Sequence, residues 1–139
     1  MATVSVVFTA ALVAYVSFVR ARRQLREVRS KIDLEKILAS ELWILNYNPR
    51  SAAASKYIQF LSDGTVGEGR NENESSWAVL EGLLTIWKQD GSLQNRFRYN
   101  DAQQRFESTD EPEADAMKRG IRGQSIYRPP LTDAPSATT

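Results

Sequence analysis

The sequence predicts a mixed architecture: a single N-terminal transmembrane α-helix with a helical stalk, a small antiparallel all-β meander forming an open barrel or sandwich, and an extended C-terminal tail. An uncharged apolar run, a change of hydrophobic period near residue 41 and a Pro-containing polar end indicate these parts. The expected parts are a transmembrane helix (1–19), a basic amphipathic juxtamembrane helix (20–40), an antiparallel β-domain (41–107) and a tail with a short helix and an extended arm (108–139).

The first element is an apolar run without charge, TVSVVFTAALVAYVSFV, at residues 3–19. Its seventeen residues are at the short end of what crosses a bilayer as a helix. A signal peptide carries its positive charges before the apolar run, whereas here they follow it, so cleavage is not expected. The alternative is a buried core helix of a soluble protein. The uniformly apolar surface and the basic residues that follow favour the membrane helix.

A group of basic residues, here called the basic collar, follows this run and faces a single acid, Glu27, within residues 20–31. Basic flanks stay on the cytoplasmic side of a membrane, which predicts the N-terminus outside, in the periplasm, and the β-domain in the cytoplasm. The collar is expected mainly to orient the helix, and anionic lipid head groups near it are its expected partners. Interleaved aromatic residues are missing, so nucleic acid is not expected. The collar comprises Arg20, Arg22, Arg23, Arg26, Arg29 and Lys31.

An apolar stripe at three-to-four spacing predicts that the helix continues as an amphipathic stalk to about residue 40. The apolar side chains of such a stripe need a surface to pack against. The candidates are the protein's own β-domain, the membrane surface, a second copy of the chain or a helix of another subunit. Glu35 falls on the stripe and fewer than four clean heptads are present, so a homo-oligomer is possible but not favoured. The stripe comprises Leu25, Val28, Ile32, Leu38, Leu42 and Leu45.

Alternating segments from residue 41 onward predict five or six short strands. They are LWILNYN, KYIQFL and residues 76–80, 83–87, 95–99 and 105–107. Asp-Gly and similar pairs between them suit tight hairpin turns, because these residues accept positive φ at low cost. The turns are expected at Asp63-Gly64, Glu81-Gly82, Asp90-Gly91 and Asn100-Asp101. The expected aromatic core is Trp43, Phe60, Trp77, Trp87, Phe97, Tyr99 and Phe106.

The segment FLSDGTVGEGRNENESSWAVLEGLLTIWKQDGSLQNRF contains a DGT turn, a Gly-rich link and the pattern NE-x-S-W. In this order it resembles an uncharacterised small bacterial antiparallel β-module that is sometimes found beside proteins of glycan metabolism. A broader similarity is to lipocalin-like meanders. The resemblance covers roughly residues 57–106, implies an antiparallel β fold and implies no site residues, because that module has no established function.

The C-terminal residues predict a short helix and then an extended arm. STDEPEADAMKRG places acids before bases and ends in Gly, as a helix at about residues 112–119 would. QSIYRPPLTDAPSATT follows as an extended segment, which a partner could bind at little entropic cost around its Pro pair. The expected partner-binding residues are Ile126, Tyr127, Pro129 and Pro130.

The composition excludes several kinds of chemistry. Cysteine and histidine are absent, which removes disulfides, thiolate nucleophiles and the commonest general base and metal ligand. No catalytic residue, metal ligand or cofactor is therefore expected. A possible ligand-binding loop contains Asp63, Glu68, Arg70 and Trp77, and an enzyme using Glu68, Glu72 or Glu74 remains an alternative.

The expected function is that of a non-enzymatic accessory or assembly subunit, a scaffold, of a larger integral-membrane complex. Its partners would be other integral-membrane subunits, and an energy-transducing complex, respiratory or photosynthetic, is one setting. The alternative is a membrane-tethered ligand- or glycan-binding β-module. That alternative predicts an open cavity lined by Trp77, Trp87 or Tyr57, whereas a scaffold predicts a filled interior.

Overall fold

A computed structural model of the chain describes residues 2–131, with side chains from residue 7 onward. One long helix is followed by seven strands, and a short second helix precedes the last strand. The elements are α1 Ala2–Ala39, β1 Trp43–Asn46, β2 Ser55–Ile58, β3 Ser76–Leu80, β4 Leu83–Trp87, β5 Leu93–Asn100, β6 Arg105–Ser108, α2 Asp115–Lys118 and β7 Ser125–Tyr127.

Helix α1 is long because nothing in its sequence interrupts it. Residues 2–39 contain neither Gly nor Pro, and the part after residue 19 is rich in Ala, Leu, Arg, Lys and Glu, which are good helix formers. At its C-terminus the Ser40 hydroxyl donates a hydrogen bond of 2.8 Å to the Ile37 carbonyl. The predicted N-terminal helix is thus confirmed as a helix.

The prediction that residues 1–19 span a membrane is not supported by the described residues. Across the part of the chain that the structure describes, α1 does not offer the length of apolar helix that a bilayer crossing requires. Residue 1 and the side chains of residues 2–6, with which the predicted span begins, lie outside what the structure describes.

The strands form one seven-stranded antiparallel sheet in the order β2-β1-β7-β6-β5-β4-β3, a small half-barrel. Strands β3 to β6 are a simple meander of neighbours, as predicted. The β3–β4 hairpin turns at Glu81 and Gly82, which have φ of 51° and 77°. Two consecutive positive φ values match the right-handed twist of the strands.

The segment between β2 and β3 folds across the gap between these two edge strands. Phe60 pairs with Val66, and Thr65 pairs with Ser76 at the start of β3. The Trp77 amide then donates a hydrogen bond of 2.9 Å to the Gly64 carbonyl. The chain just after β2 and the start of β3 therefore both find backbone partners in this segment.

A continuous hydrophobic core fills the half-barrel. Trp43 and Phe106 meet edge to face with ring centroids 5.5 Å apart, and Phe60 meets Trp77 in the same way at 5.5 Å. Five of the seven predicted aromatic core residues are buried, whereas Trp87 and Tyr99 are only half-buried. The core comprises Leu38, Trp43, Leu45, Ile58, Phe60, Val66, Trp77, Val79, Leu84, Ile86, Phe97, Phe106 and Ile126.

The last turns of α1 pack onto this core, but the predicted stripe does not continue along the helix. Leu38 is fully buried, and the Trp43 indole donates a hydrogen bond of 3.0 Å to the backbone carbonyl of Leu38. Leu25, Val28 and Ile32 are exposed. The half-barrel is short, so it covers only the end of a helix about 57 Å long at 1.5 Å per residue.

The region predicted as a tail is part of the half-barrel. Strand β7 lies between β1 and β6, where Ile126 pairs with Leu45 and Phe106. The short helix α2 packs against β5 on the way to β7. The predicted extended arm therefore includes a central strand. Strand β7 forms there because the edges of β1 and β6 are free to pair with it, and not because its own side chains alternate between apolar and polar.

Candidate functional site

Helix α1 approaches one end of the half-barrel, here called the helix end. In an antiparallel sheet alternate turns lie at the same end, so the β3–β4 and β5–β6 turns share it. Gly82 and Asp101, from these two turns, line the same cleft as residues of α1. Arg50 and Arg122 precede β2 and β7, and their segments lie at the opposite end.

The first described part of α1 is an apolar segment, residues 7–19, that has no charged side chain. Every residue in it is exposed, and its large side chains point around the helix rather than along one face. Phe8 is 76% exposed and Leu12 is 63% exposed. In monomeric soluble proteins, a large contiguous apolar surface marks a site that interacts with another protein or with a membrane.

The basic collar begins where the apolar segment ends, and all six of its side chains are exposed. The Arg22 guanidinium lies 5.5 Å from the centroid of the Phe18 ring, so the last aromatic residue and the first turn of the collar are in contact. Lys31 forms an ion pair of 3.9 Å with Glu35. The structure therefore places a sharp boundary between apolar and basic surface on one continuous helix.

The residues expected to line a ligand cavity are used for packing or are exposed. Trp77 is 6% exposed, and its indole donates a hydrogen bond of 2.9 Å to the Leu61 carbonyl. Tyr57 is exposed on the edge strand β2. A cleft of about 450 Å³ lies between Trp77 and α1, so one of the three predicted aromatic residues lines a described opening.

The predicted ligand loop does not form a single site. Asp63 accepts hydrogen bonds from the Thr65 hydroxyl and amide, at 2.6 and 2.9 Å, and closes its own turn. The hydroxyl bond is the main cause that lowers the pKa of the Asp63 carboxyl, and the Thr65 amide adds to it. Asp63 and Trp77 line the cleft beside α1, whereas the exposed Glu68 and Arg70 are not among its lining residues.

The three glutamates considered for catalysis differ in environment. Glu74 is buried and forms an ion pair of 3.3 Å with Lys56, whose ammonium also donates a hydrogen bond of 2.8 Å to the Gly69 carbonyl. Glu68 and Glu72 are exposed. Glu74 therefore has a structural partner that links β2 to the loop before β3.

The predicted partner-binding residues are divided by the fold. Ile126 is fully buried in the core and is not accessible to a partner. Tyr127 and Pro129 are half-buried, and Pro130 is exposed. Next to them, Arg128 pairs with Glu41 at 2.7 Å and lies over the Trp43 ring at 5.2 Å, which ties the end of β7 to the α1–β1 junction.

A second cleft, of about 500 Å³, lies between α1 and the helix end of β5. We call it the arginine cleft, because Arg26 and Arg29 of the collar meet Arg98 of β5 there. The sequence does not predict a role for Arg98, because nothing in the residues around Arg98 distinguishes it from any other exposed charge on a strand. Among residues 7–131 no group of acidic side chains is arranged to hold a metal ion.

Comparison with known proteins shows little sequence similarity. No protein-family model matches the chain, and no curated protein matches it. Among solved structures, the crystal structure of a psychrophilic marine protease MP inhibitor is similar, with 15% identity and a TM-score of 0.48. The match covers 68% of this chain and 99% of that chain.

Proposed function

We propose that this protein is a non-enzymatic accessory subunit of a larger integral-membrane complex, held at the membrane by the apolar segment of α1. The observation that carries the proposal is the contrast within α1 between an exposed apolar segment and the basic collar directly after it. Apolar side chains around the whole helix need an apolar environment on all sides, which a bilayer supplies.

Length and charge suggest how the helix sits. Residues 7–19 measure about 20 Å along a helix, shorter than a hydrocarbon core of about 30 Å. The apolar run predicted from the sequence begins at residue 3, which brings the length to about 26 Å. Because basic residues follow this run, the proposal places the N-terminus outside and the half-barrel in the cytoplasm.

The interior of the half-barrel supports a scaffold rather than an enzyme. Its largest side chains, among them Trp43, Phe97 and Phe106, are buried against one another instead of surrounding an open cavity. The buried Glu74 is paired with Lys56. A rigid, filled domain at the end of a membrane-bound helix is suited to holding other subunits in a fixed position.

The membrane part of the proposal is tested by a charge placed in the apolar segment. Leu12→Arg should release the full-length protein from the membrane fraction, because an Arg at the centre of an inserted helix costs about 3 kcal/mol. The matched control is Leu131→Arg, which alters a fully exposed leucine outside α1. Alkaline extraction of membranes followed by immunoblotting measures the change, and equal behaviour of the two variants would contradict membrane insertion.

The subunit part of the proposal is tested by gentle detergent extraction of the tagged protein at native abundance. A native gel with mass spectrometry should show stoichiometric co-migration with a large membrane complex. Migration as a free monomer or dimer, with membrane binding intact, would refute the subunit role. Attention would then turn to ligands for the cleft beside Trp77.

A further inference from the structure

The arginine cleft combines side chains from two elements that are distant in sequence. Arg26 and Arg29 lie one turn apart on α1, and Arg98 comes from β5 on the facing wall. Half-buried apolar side chains, Leu34 and Ile37 on α1 with the Tyr99 ring on β5, form its inner part. Tyr99 is held in place by its ring contact with Phe106, at 4.9 Å between centroids.

The charges of this cleft are not satisfied within the described part of the chain. Arg26, Arg29 and Arg98 have no carboxylate within 4.0 Å there, although Asp33 and Asp101 also line the cleft. Three cations against two anions leave an excess of one positive charge. Elsewhere on the sheet the arginines Arg96, Arg105 and Arg128 each have an acidic partner at 3.0 Å or less.

We propose that the arginine cleft binds a phosphate group through Arg26, Arg29 and Arg98. Guanidinium groups present paired donors that match the oxygens of phosphate, and several of them on facing walls can contact one anion together. The apolar inner part, built from Leu34, Ile37 and Tyr99, suits the uncharged organic part of a phosphate ester.

Two sources can supply this phosphate. An anionic lipid is the first, and this source rests on the proposed function, because Arg26 and Arg29 then lie about 10–15 Å along α1 beyond the apolar segment, near the outer edge of the head-group layer. Free phosphate or a soluble phosphate ester is the second, and it requires no membrane. The cleft is formed by the half-barrel and α1 in either case.

The experiment compares Arg98→Ala with Arg122→Ala in the full chain. Arg122 is an exposed arginine at the opposite end of the sheet and does not line the cleft, so both variants lose the same charge. In the first arm, binding is measured to vesicles of phosphatidylcholine with and without phosphatidic acid. In the second arm, the protein in neutral detergent is titrated with inorganic phosphate at constant ionic strength, and the NMR shift of the Gly82 amide is followed.

The wild-type chain should prefer vesicles that contain phosphatidic acid, and Arg98→Ala should weaken that preference about fivefold, the effect of one basic residue at an anionic surface. Arg122→Ala should retain it. A Gly82 shift with inorganic phosphate that Arg98→Ala abolishes identifies phosphate itself as the ligand. No such shift, together with a vesicle effect, identifies the lipid.

Equal behaviour of the two variants in both arms would overturn the phosphate site. This result is distinguishable from failure of the membrane proposal. If Leu12→Arg leaves membrane association unchanged, the detergent arm still tests the cleft, because that arm contains no bilayer. Retention of Trp fluorescence in the Arg98→Ala variant verifies that its half-barrel is folded, since all three tryptophans belong to it.

Discussion

The described parts of α1 near its two ends share a helical backbone but differ in the exposure of their side chains. At the C-terminal end Leu38 is fully buried and is fixed to β1 by a hydrogen bond from the Trp43 indole. At the other end Leu12 has the same side chain and is 63% exposed. The C-terminal end is therefore part of a folded domain, whereas the apolar segment packs against no other described element of the chain.

The largest expected effect comes from removing side-chain volume at the buried end. Leu38→Ala should reduce the free energy of unfolding by about 2–5 kcal/mol, because it leaves a cavity between α1 and the half-barrel. Leu12→Ala should change it by less than about 0.5 kcal/mol. Urea denaturation in neutral detergent, followed by Trp fluorescence, measures both. Similar losses for the two variants would show that the apolar segment also folds against the domain.

A smaller difference in the free energy of unfolding is expected between a buried and an exposed ion pair of the half-barrel. Lys56→Met should cost about 2 kcal/mol, because it leaves the carboxylate of Glu74, only 5% exposed, without its hydrogen-bonding cation. Arg105→Met removes a partner of Glu107 at an exposed site and should cost less than about 0.5 kcal/mol. Denaturation midpoints compare the two variants.

The double variant Lys56→Met with Glu74→Leu is the control for this interpretation. It should recover part of the lost stability, since no uncompensated charge remains in the interior. No recovery would show that the two residues stabilise the loop by packing rather than by charge. The hydrogen bond from Lys56 to the Gly69 carbonyl is lost in both cases, so it does not affect the comparison.

The smallest effect concerns the Asp63 turn. Thr65→Val should raise the pKa of Asp63 towards its ordinary value of 3.8, because the hydroxyl hydrogen bond is its main stabilising contact. The folded-state pKa is lowered, so the turn contributes its stability above pH 3.8 and loses it as the pH falls through the folded-state pKa. Carboxyl carbon shifts followed by NMR measure this.

Ser92→Ala is the matched control for the turn. The Ser92 hydroxyl lowers the pKa of Asp90 in the same way, so this variant should raise the pKa of Asp90 and leave that of Asp63 unchanged. A rise at both carboxylates in either variant would mean that a global change, rather than the local hydrogen bond, controls the two pKa values.

The hairpins could be predicted because their information is local. Strands β3 and β4 match the predicted residues 76–80 and 83–87, since the alternation of side chains and the Glu81-Gly82 turn are both within a few residues. Strand β7 was missed because three residues carry too little alternation. Its position between β1 and β6 depends on partners far away in the chain.

The stalk and the arginine cleft could not be predicted either, because both depend on residues that are distant in the sequence. A helical stripe predicts which residues share a face, but not how far a neighbouring domain extends along it, so the exposure of Leu25 and Val28 could not be foreseen. Arg26 and Arg29 were identified as part of the collar. Their third partner, Arg98, is brought to them only by the packing of α1 across the helix end.

The central position of β7 also determines when the half-barrel can fold. In the sheet that the described residues form, β1 and β6 are joined through β7, the last strand to leave the ribosome. Residues 40–124 separate α1 from β7, and at about 5–20 residues per second their synthesis takes on the order of 4–17 s. During that interval α1 has been synthesised while the half-barrel that packs on its C-terminal end is still incomplete.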